Sequence, residues 1–284
     1  MKRYYFLSSS HLEDRIWFRD DEDFKAGMNF VAITTVRCTV DILMSNHVHF
    51  ILLCERQEAD RFYNTFKQEY ARYFRSKYHT PHLLRRNAAD IRLISTENEG
   101  LERVGAYLLC NPPAANICVH PSLYLWGCGR CLFSGLPSRG QDVGTFSTRQ
   151  RRVLLHSKFQ GGKGLIYGED GYILPESYIR KDIVEAVFRT PNRLEYFLRT
   201  SSKVRQIWEG TSPVMPTFRD QSIAGFADDI RSTLFRKKSV SDLDEDEVKR
   251  LVHETRRRSG ADVGQLARVL ELPPEKVAQI LSDW

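Results

Sequence analysis

Two histidines share one face of a predicted strand, which makes them candidate metal ligands. Residues 44 to 49 read Met-Ser-Asn-His-Val-His. Successive side chains of a β-strand point to opposite faces, so His47 and His49 lie on one side while Val48 and Phe50 lie on the other. Two imidazoles at this spacing can bind one divalent ion. Half of a zinc site, or plain surface histidines, are the alternatives for the tripeptide taken alone.

A tyrosine and an asparagine one helical turn apart could complete such a site. Tyr107 and Asn111 lie in Ala-Tyr-Leu-Leu-Cys-Asn-Pro, and residues 101–110 are predicted to be helical. At positions i and i+4 the phenol and the amide oxygen point the same way. Pro112 and Pro113 then end or kink the helix. Without the histidines, a core tyrosine and a helix-terminal cap would be the preferred interpretation.

Taken together, these segments resemble the single-tyrosine HUH transposases, and most closely the branch associated with repetitive extragenic palindromes. The resemblance rests on Met-Ser-Asn-His-Val-His-Phe-Ile-Leu, on the aromatic and basic helix after it, on Tyr-Leu-Leu-Cys-Asn-Pro and on a later Tyr-Leu-Trp. The motifs follow the order found in that family and cover roughly residues 1–135. As a set they are more specific than any one of them.

The resemblance implies a site and an activity. In that family two histidines and a polar side chain one turn after the tyrosine bind Mg²⁺ or Mn²⁺. The tyrosine attacks a DNA phosphodiester and leaves a 5′-phosphotyrosine and a free 3′-hydroxyl. By position, His47, His49 and Asn111 are the expected metal ligands and Tyr107 the expected nucleophile, with both histidines counted as catalytic. The expected partner is single-stranded or hairpin DNA, bound by a monomer or a homodimer.

These residue types suit phosphoryl transfer. The reaction requires charge neutralisation on the non-bridging oxygens and an in-line attacking oxygen, and a divalent cation supplies the first. Tyrosine has a pKa of about 10, so its phenolate must be favoured for it to attack at neutral pH. A phenol is also a tolerable leaving group, so the same protein could cut one strand and join it to another end. A second cut would need a second subunit or a second round.

The elements that must hold these residues follow from hydrophobic periodicity. We predict strands and helices in the order βαββαβα, over Arg3–Ser8, Asp20–Thr34, Cys38–Met44, His47–Cys54, Glu58–Tyr78, Ile91–Ile94 and 101–110. Ser45 and Asn46 make the tight connection between two paired strands. This order predicts an α+β fold, a ferredoxin-like antiparallel sheet with helices on one face. HUH nucleases have that core, so pattern and resemblance agree.

Basic residues on the predicted helix Glu58–Tyr78 are candidates for DNA contact. They are interleaved with aromatic residues, an arrangement that can track a phosphate backbone or stack an unpaired base. We interpret the aromatic residues as mostly core and some of the cations as DNA-binding, and the alternative is a solvated charged face. The candidates are Lys67, Arg72, Arg75 and Lys77, with Arg85 and Arg86 in the following loop.

The composition changes after residue 135, which suggests a division into four parts. We predict the nuclease at 1–135, a linker rich in Gly, Pro, Ser and Thr at 136–148, a helical accessory region at 149–235 and a helix-turn-helix-like domain at 236–284. Within the accessory region we expect a hairpin over Leu165–Leu174 and helices over Glu176–Phe188 and Arg193–Trp208. It contains no catalytic constellation. The chain after the nuclease is thus expected to be mostly α-helical.

The last segment has the spacing of a helix-turn-helix. Ser241 with Asp244 predicts a capping box for a helix that runs through Arg258 and ends at Ser259-Gly260. Two short helices follow, joined by Glu-Leu-Pro-Pro, although Glu271 stands where glycine is common. The alternative is a small bundle used for packing. The candidate DNA-binding residues are Arg256, Arg257, Arg258, Lys276 and Gln279.

Composition and cysteine use agree with a cytoplasmic globular protein. The 284 residues carry a formal charge of +6 and a pI near 9.0, which fits a polyanionic partner without requiring one. We find neither a secretory leader nor a membrane span, so we expect no membrane partner. The six cysteines suit reduced thiols. Cys128-Gly-Arg-Cys131 has the gap of a zinc site, but its nearest possible second half, Cys118 and His120, is wrongly spaced, and we interpret the pair as thiols.

Two other functions remain open at this point. One is a non-catalytic DNA-binding regulator that uses the predicted helix-turn-helix. The other is a zinc hydrolase built on His47 and His49. A covalent DNA adduct distinguishes the transposase chemistry from both.

Overall fold

Four strands form one antiparallel sheet in the order β2-β3-β1-β4. A computed structural model of the chain describes residues 2–9, 16–35, 37–79, 89–115, 117–135, 139–209 and 220–282, with the backbone alone for 202–209. The predicted βαββαβα order is confirmed, and its elements are β1 Arg3–Ser8, α1 Asp21–Thr34, β2 Cys38–Leu43, β3 Val48–Cys54, α2 Arg56–Tyr78, β4 Asp90–Leu93 and α3 Gly100–Leu109.

The remainder of the chain is mostly helical, as predicted. Its helices are α4 Asn111–Ala114, α5 Thr148–Leu154, α6 Lys181–Phe188, α7 Pro191–Glu209, α8 Asp220–Ile230, α9 Glu245–Ser259, α10 Val263–Leu270 and α11 Pro274–Ser282. A small second sheet pairs β5 Gln141–Asp142 with β6 Ile166–Tyr167. Within the described residues, no helix combines the length and the apolar content that crossing a bilayer requires.

The main sheet is covered on both faces, whereas we predicted helices on one face. Helices α1 and α2 pack on one side, where the Phe50 ring lies 5.0 Å from the Phe62 ring and 5.8 Å from the Phe66 ring. Helices α3 and α6 pack on the other side. The physical reason is in β3, where six of the seven residues are buried. A strand that is apolar on both faces needs cover on both.

Helices α1 and α2 are set by their capped ends and their apolar spacing. Asp20 precedes α1 and accepts a 3.0 Å hydrogen bond from the Asp23 backbone N–H. Glu55 and Glu58 form a capping box at the start of α2. The prediction that the aromatic residues of α2 belong to the core is confirmed, since the following are all buried: Phe62, Tyr63, Phe66, Tyr70, Tyr73 and Phe74.

The described part of the predicted linker, residues 139–148, is packed rather than extended between domains. Val143 is fully buried and Phe146 is 5% exposed. Asn29 of α1 fixes the chain beyond this segment, because it donates to the Leu154 carbonyl at 3.2 Å and accepts from the Ile173 N–H at 2.8 Å. A segment rich in Gly, Pro and Ser is therefore held in place by a few apolar side chains and by a polar bridge from α1.

The regions that we predicted as nuclease and accessory region share one hydrophobic core. Its buried residues run from Phe6 to Leu198 without a break at residue 135. Asp41 of β2 lies inside this core, fully buried, and accepts a 2.6 Å hydrogen bond from the Tyr178 hydroxyl. The first 135 residues are therefore not packed independently of the next sixty or so.

Helices α8 to α11 enclose a second, smaller core. The two predicted helix-turn-helix helices are present as α10 and α11, and Glu271 between them adopts a left-handed φ of 53°. Helix α8 contacts α9 and α10, so this helical unit includes Asp220–Ile230, which we had assigned to the accessory region. The capping box of α9 is made by Asp244 and Glu247 rather than by Ser241 and Asp244.

The buried carboxyl of Asp41 predicts a pH dependence of stability. Burial raises the pKa of Asp41 from 3.8 to about 6, although hydrogen bonds from Tyr178 and Cys128 partly offset the rise. The folded protein then keeps a proton that the unfolded chain has lost. The free energy of unfolding should therefore fall by about 3 kcal/mol in total on account of this group as the pH rises from about 3 to about 7.

Asp41→Asn should remove that decrease, because an amide stays neutral and still accepts from Tyr178. Urea unfolding at several pH values measures it, with Asp182→Asn, which changes a carboxyl paired with Arg180 at the surface, as the matched control. Parallel pH profiles for wild type and Asp41→Asn would contradict the assignment.

Candidate functional site

A two-residue hairpin turn places the histidines. Met44 N–H donates to the His47 carbonyl at 2.8 Å, which closes the predicted Ser45-Asn46 connection between β2 and β3. The Ser45 carbonyl also accepts the backbone N–H groups of Trp17 at 2.7 Å and Phe18 at 2.9 Å. His47 thus immediately precedes β3, in a turn that is held from two directions.

The two imidazoles lie side by side, as the i, i+2 spacing predicts. The ring centroids of His47 and His49 are 4.8 Å apart in an edge-on arrangement. His47 Nδ1 lies 2.9 Å from Asn46 Oδ1, which orients that ring. His49 is fully buried, stands opposite Ser8 of β1, and stacks on Phe6 at 5.7 Å.

Helix α3 brings Tyr107 to the same face of the sheet. Its ring centroid is 6.2 Å from that of His49 and 6.4 Å from that of Phe6. Tyr107 is 3% exposed. The side chain that the resemblance implies as nucleophile therefore packs against the innermost histidine, in a mostly apolar surrounding.

Asn111 lies one turn beyond Tyr107, at the first residue of α4, and is 7% exposed. Its Nδ2 donates to the carbonyls of Tyr107 and Leu108, both at 3.1 Å. These bonds identify the nitrogen end of the amide, because carbonyl oxygens accept and do not donate. They also satisfy helix-terminal carbonyls, so the capping role is present. The Oδ1 atom is the end that points away from those carbonyls and can act as a ligand.

The predicted ligand set consists of neutral side chains, two imidazoles and one amide. Among the described residues, no three His, Cys, Asp or Glu side chains are clustered to hold a metal ion. A third ligand at this site would therefore be of another type, and the resemblance implies Asn111 for that role. A divalent ion bound by neutral ligands keeps its full charge, which favours a phosphate as a further ligand.

The predicted DNA-binding residues of α2 are distributed on the opposite side of the sheet from Tyr107. Arg75 is exposed, and Lys67 Nζ lies 5.7 Å from the Tyr63 ring centroid. Arg72 pairs with Glu69 at 2.9 Å. Arg85 and Arg86 lie outside the described residues. The part of this basic flank that is described thus combines exposed and paired cations.

Lys77 is bound by two carboxylates. Its ammonium lies 2.7 Å from Asp20 Oδ1 and 2.8 Å from Asp23 Oδ1. Burial lowers the pKa of Lys77, but the hydrogen bonds that it donates to Asp20 and Asp23 outweigh this, and the pKa is raised. The contact ties α2 to α1, so this cation has a structural role in addition to the predicted one.

The C-terminal candidates lie on α9 and α11, and all are exposed: Arg256, Arg257, Arg258, Lys276 and Gln279. Arg257 pairs with Glu254 at 2.6 Å, and Arg258 pairs with Asp229 at 2.8 Å. Exposed pairs of this kind are weak, so these arginines can exchange a carboxylate partner for a phosphate. On α11, Lys276 and Gln279 lie in the first two turns and are exposed to solvent, which is the placement expected of a helix that reads a DNA groove.

A cleft between α2 and α5 contains two residues that the sequence analysis missed. The cleft has a volume of about 530 Å³, and its lining includes Arg72, Lys77, Arg152 and His156. The His156 ring lies 4.9 Å from the Tyr73 ring. The basic run Arg149-Gln-Arg-Arg on a capped helix was the available signal. We had placed that run at the start of a region without an assigned role.

Cys128 and Cys131 lie in a buried turn, Cys128–Cys131, of 3-10 geometry. Burial raises the pKa of both thiols. The Cys131 thiol donates to the Cys128 carbonyl at 3.0 Å. The pair therefore packs as neutral thiols under β2, where Gly127 bridges to Ile42.

The chain was also compared with known proteins. No family model, no curated protein and no solved structure matches it.

Proposed function

We propose that this protein is a metal-dependent DNA strand transferase that cleaves and joins structured single-stranded DNA, with Tyr107 as nucleophile. The observation that carries the proposal is the approach of Tyr107 to the paired histidines. His47 and His49 come from a hairpin and Tyr107 from α3, and the Tyr107 ring lies 6.2 Å from that of His49. Asn111 follows one turn after Tyr107 and enters the proposed ligand set through the resemblance. The strand order β2-β3-β1-β4 with βαββαβ connectivity supports a ferredoxin-like core of the HUH type.

His47, His49 and Asn111 Oδ1 are the residues that would hold Mg²⁺ or Mn²⁺. When bound, the ion would neutralise charge on the non-bridging oxygens of the scissile phosphate. The hydrogen bonds that Asn111 donates to the carbonyls of Tyr107 and Leu108 fix its amide against the last turn of α3. Pre-positioning of this kind reduces the reorganisation needed for reaction.

Tyr107 carries the covalent step. Its phenolic oxygen forms a bond to phosphorus while the bond from phosphorus to the 3′ oxygen breaks. The phenolic proton leaves, and the 3′ oxygen takes up a proton to become a hydroxyl. The products are a 5′-phosphotyrosine and a free 3′-hydroxyl. Attack by another 3′-hydroxyl on the phosphotyrosine reverses the bond changes and joins two strands.

The burial of Tyr107 adds a condition to this chemistry. With 3% exposure, its hydroxyl meets a phosphate after neighbouring side chains move. DNA binding would supply the free energy for that movement. We therefore expect adduct formation to be slower than DNA binding.

A second candidate is a non-catalytic DNA-binding regulator. Two observations favour it: α10 and α11 have the predicted helix-turn-helix arrangement with Lys276 and Gln279 exposed, and Tyr107 is buried. The first candidate predicts a covalent species with hairpin DNA and Mn²⁺, and the second predicts binding without one.

Tyr107→Phe should abolish the covalent adduct. DNA affinity should stay within about twofold, because the change removes at most one hydrogen bond between the hydroxyl and a phosphate. The measurement is a denaturing gel with hairpin DNA labelled at its 3′ end, since a 5′-phosphotyrosine retains the downstream fragment. Tyr4→Phe is the matched control, as Tyr4 lies on the same sheet face two residues from Phe6. An adduct formed by Tyr107→Phe would exclude Tyr107 as the nucleophile.

His47→Ala or His49→Ala should each reduce the rate of Mn²⁺-dependent cleavage by about 100-fold or more, because two of three neutral ligands cannot replace three. Chelation of metal in the wild type should have the same effect and be reversed by added Mn²⁺. His120→Ala, which removes a histidine paired with Glu195, is the control. Full activity of either ligand variant would refute the metal assignment. Stoichiometric zinc on purification, without an adduct, would instead favour the zinc hydrolase.

Arg152→Ala should weaken binding of all hairpin sequences alike and reduce the slope of log affinity against log salt by about 0.7 to 0.9, the loss of one phosphate contact. Fluorescence anisotropy across a salt series measures this. Arg180→Ala is the control, because the Arg180 side chain is 42% exposed, pairs with Asp182 and lies beside Cys38, at the end of β2 away from the His47 turn. Equal slopes for wild type and Arg152→Ala would show that Arg152, and with it the α2–α5 cleft, does not contact DNA phosphates.

A further inference from the structure

The turn that carries His47 is bonded directly to the C-terminal helical unit. Asp220, the first residue of α8, is 3% exposed. Its Oδ2 accepts a 2.8 Å hydrogen bond from Ser45 Oγ, and its Oδ1 accepts a 2.9 Å hydrogen bond from Gln265 Nε2 on α10. Arg268 of α10 pairs with the same carboxylate at 3.5 Å. One buried carboxylate therefore joins α8, α10 and the two-residue hairpin turn.

A neighbouring contact holds the segment on which that turn rests. The Ser45 carbonyl accepts from the backbone N–H groups of Trp17 and Phe18, as described above. Gln221, the next residue of α8, donates to the Phe18 carbonyl at 2.6 Å. Helix α8 thus contacts both the turn and the Trp17-Phe18 segment, whose backbone N–H groups bond to the turn.

The turn between α10 and α11 makes a separate contact with the nuclease. Glu271 pairs with Arg19 at 3.0 Å, and the Arg19 guanidinium lies over the Tyr78 ring at 4.8 Å and the Phe74 ring at 5.2 Å. The helical unit is therefore docked at two places around residues 17–19 and 45.

A buried carboxylate is strongly destabilising unless its hydrogen bonds and charge are satisfied, so its partners are held in a narrow range of positions. Ser45 is one of those partners and is two residues from His47. The turn has only two residues, and Asn46 Oδ1 is the atom that orients His47 Nδ1. A displacement of Ser45 should therefore also displace the His47 ring, because the two-residue turn leaves few freely rotating bonds between them.

We propose that Asp220 is a positioning residue through which the C-terminal helical unit sets the His47 side of the metal site. That His47 binds a metal rests on the proposed function. That Asp220 sets the position of the His47 imidazole does not require a metal.

The experiment compares Ser45→Ala, Asp220→Asn and the double variant in the full chain, with Asp228→Asn as the matched control. Asp228 lies on the same helix, and its side chain is 70% exposed and pairs with Arg231. Ser45→Thr keeps the hydroxyl and serves as the conservative variant. Two quantities are measured: the Mn²⁺ dissociation constant, by titration followed by electron paramagnetic resonance, and the imidazole ¹H–¹³C signals of metal-free protein, with His47→Gln used to assign the His47 signal.

Each of Ser45→Ala and Asp220→Asn should weaken Mn²⁺ binding by about 10-fold. The double variant should be no more than about twofold weaker than the worse single variant, because both remove the same link. Asp228→Asn and Ser45→Thr should retain wild-type affinity. In metal-free protein the His47 signal should shift in both single variants and stay in place in Asp228→Asn.

Three results would overturn the proposal: unchanged Mn²⁺ affinity together with an unchanged His47 signal, strictly additive effects in the double variant, or equal effects from Asp228→Asn. A fall in melting temperature with neither readout moved would leave Asp220 a purely structural residue. If the wild type binds no Mn²⁺ while the His47 signal still responds to Ser45→Ala and Asp220→Asn, the positioning role stands and the metal site fails.

Discussion

The alternation of side chains along β3 is the constraint on which the candidate site and the core both depend. Phe50 faces the aromatic core under α2, and His49 faces Tyr107 on the other side. A slip of one residue would exchange the two faces. The register is fixed from both neighbours, since His49 stands opposite Ser8 of β1 and opposite Ile42 of β2. The packing that stabilises the sheet therefore also determines which side the imidazoles occupy.

Buried polar contacts specify how the rest of the chain packs around this sheet. Asn29 of α1 and Asp41 of β2 are both fully or almost fully buried, and each is bonded to a residue beyond position 150. Apolar contacts tolerate sliding, whereas a buried polar group left without its partner is destabilising by roughly 1–3 kcal/mol. These two residues thus help to fix how residues 139–198 pack against the four-stranded sheet and its helices.

The charge distribution bears on the proposed binding of DNA. Several predicted DNA contacts are already paired with carboxylates, among them Arg72, Lys77 and Arg258. A phosphate must displace the carboxylate before such a cation contributes, and Lys77 would in addition release the contact between α1 and α2. The exposed cations Arg75 and Arg152 carry less of this cost. The formal charge of +6 already includes these carboxylates, so the attraction available to a polyanion depends on where the unpaired cations lie.

The sequence by itself determined much of the local structure from β1 to α3 and the choice of candidate site residues. The bounds of β1 were predicted to the residue, and the Ser45-Asn46 turn and the helix that carries Tyr107 were predicted correctly, because periodicity and turn chemistry are local properties. The pairing of His47 with His49 follows from the same periodicity. The proximity of His49 to Tyr107 was expected from the resemblance, and spacing alone could not give it.

Tertiary structure decided what depends on residues far apart in the chain. It covered the second face of the sheet with α3 and α6, packed the segment predicted as a linker, placed α8 with the C-terminal helices and joined Asp220 to Ser45 across 175 positions. None of these contacts leaves a periodic trace in sequence, because a single buried pair is compatible with many local patterns. Which partner a side chain meets is set by the summed packing of both cores.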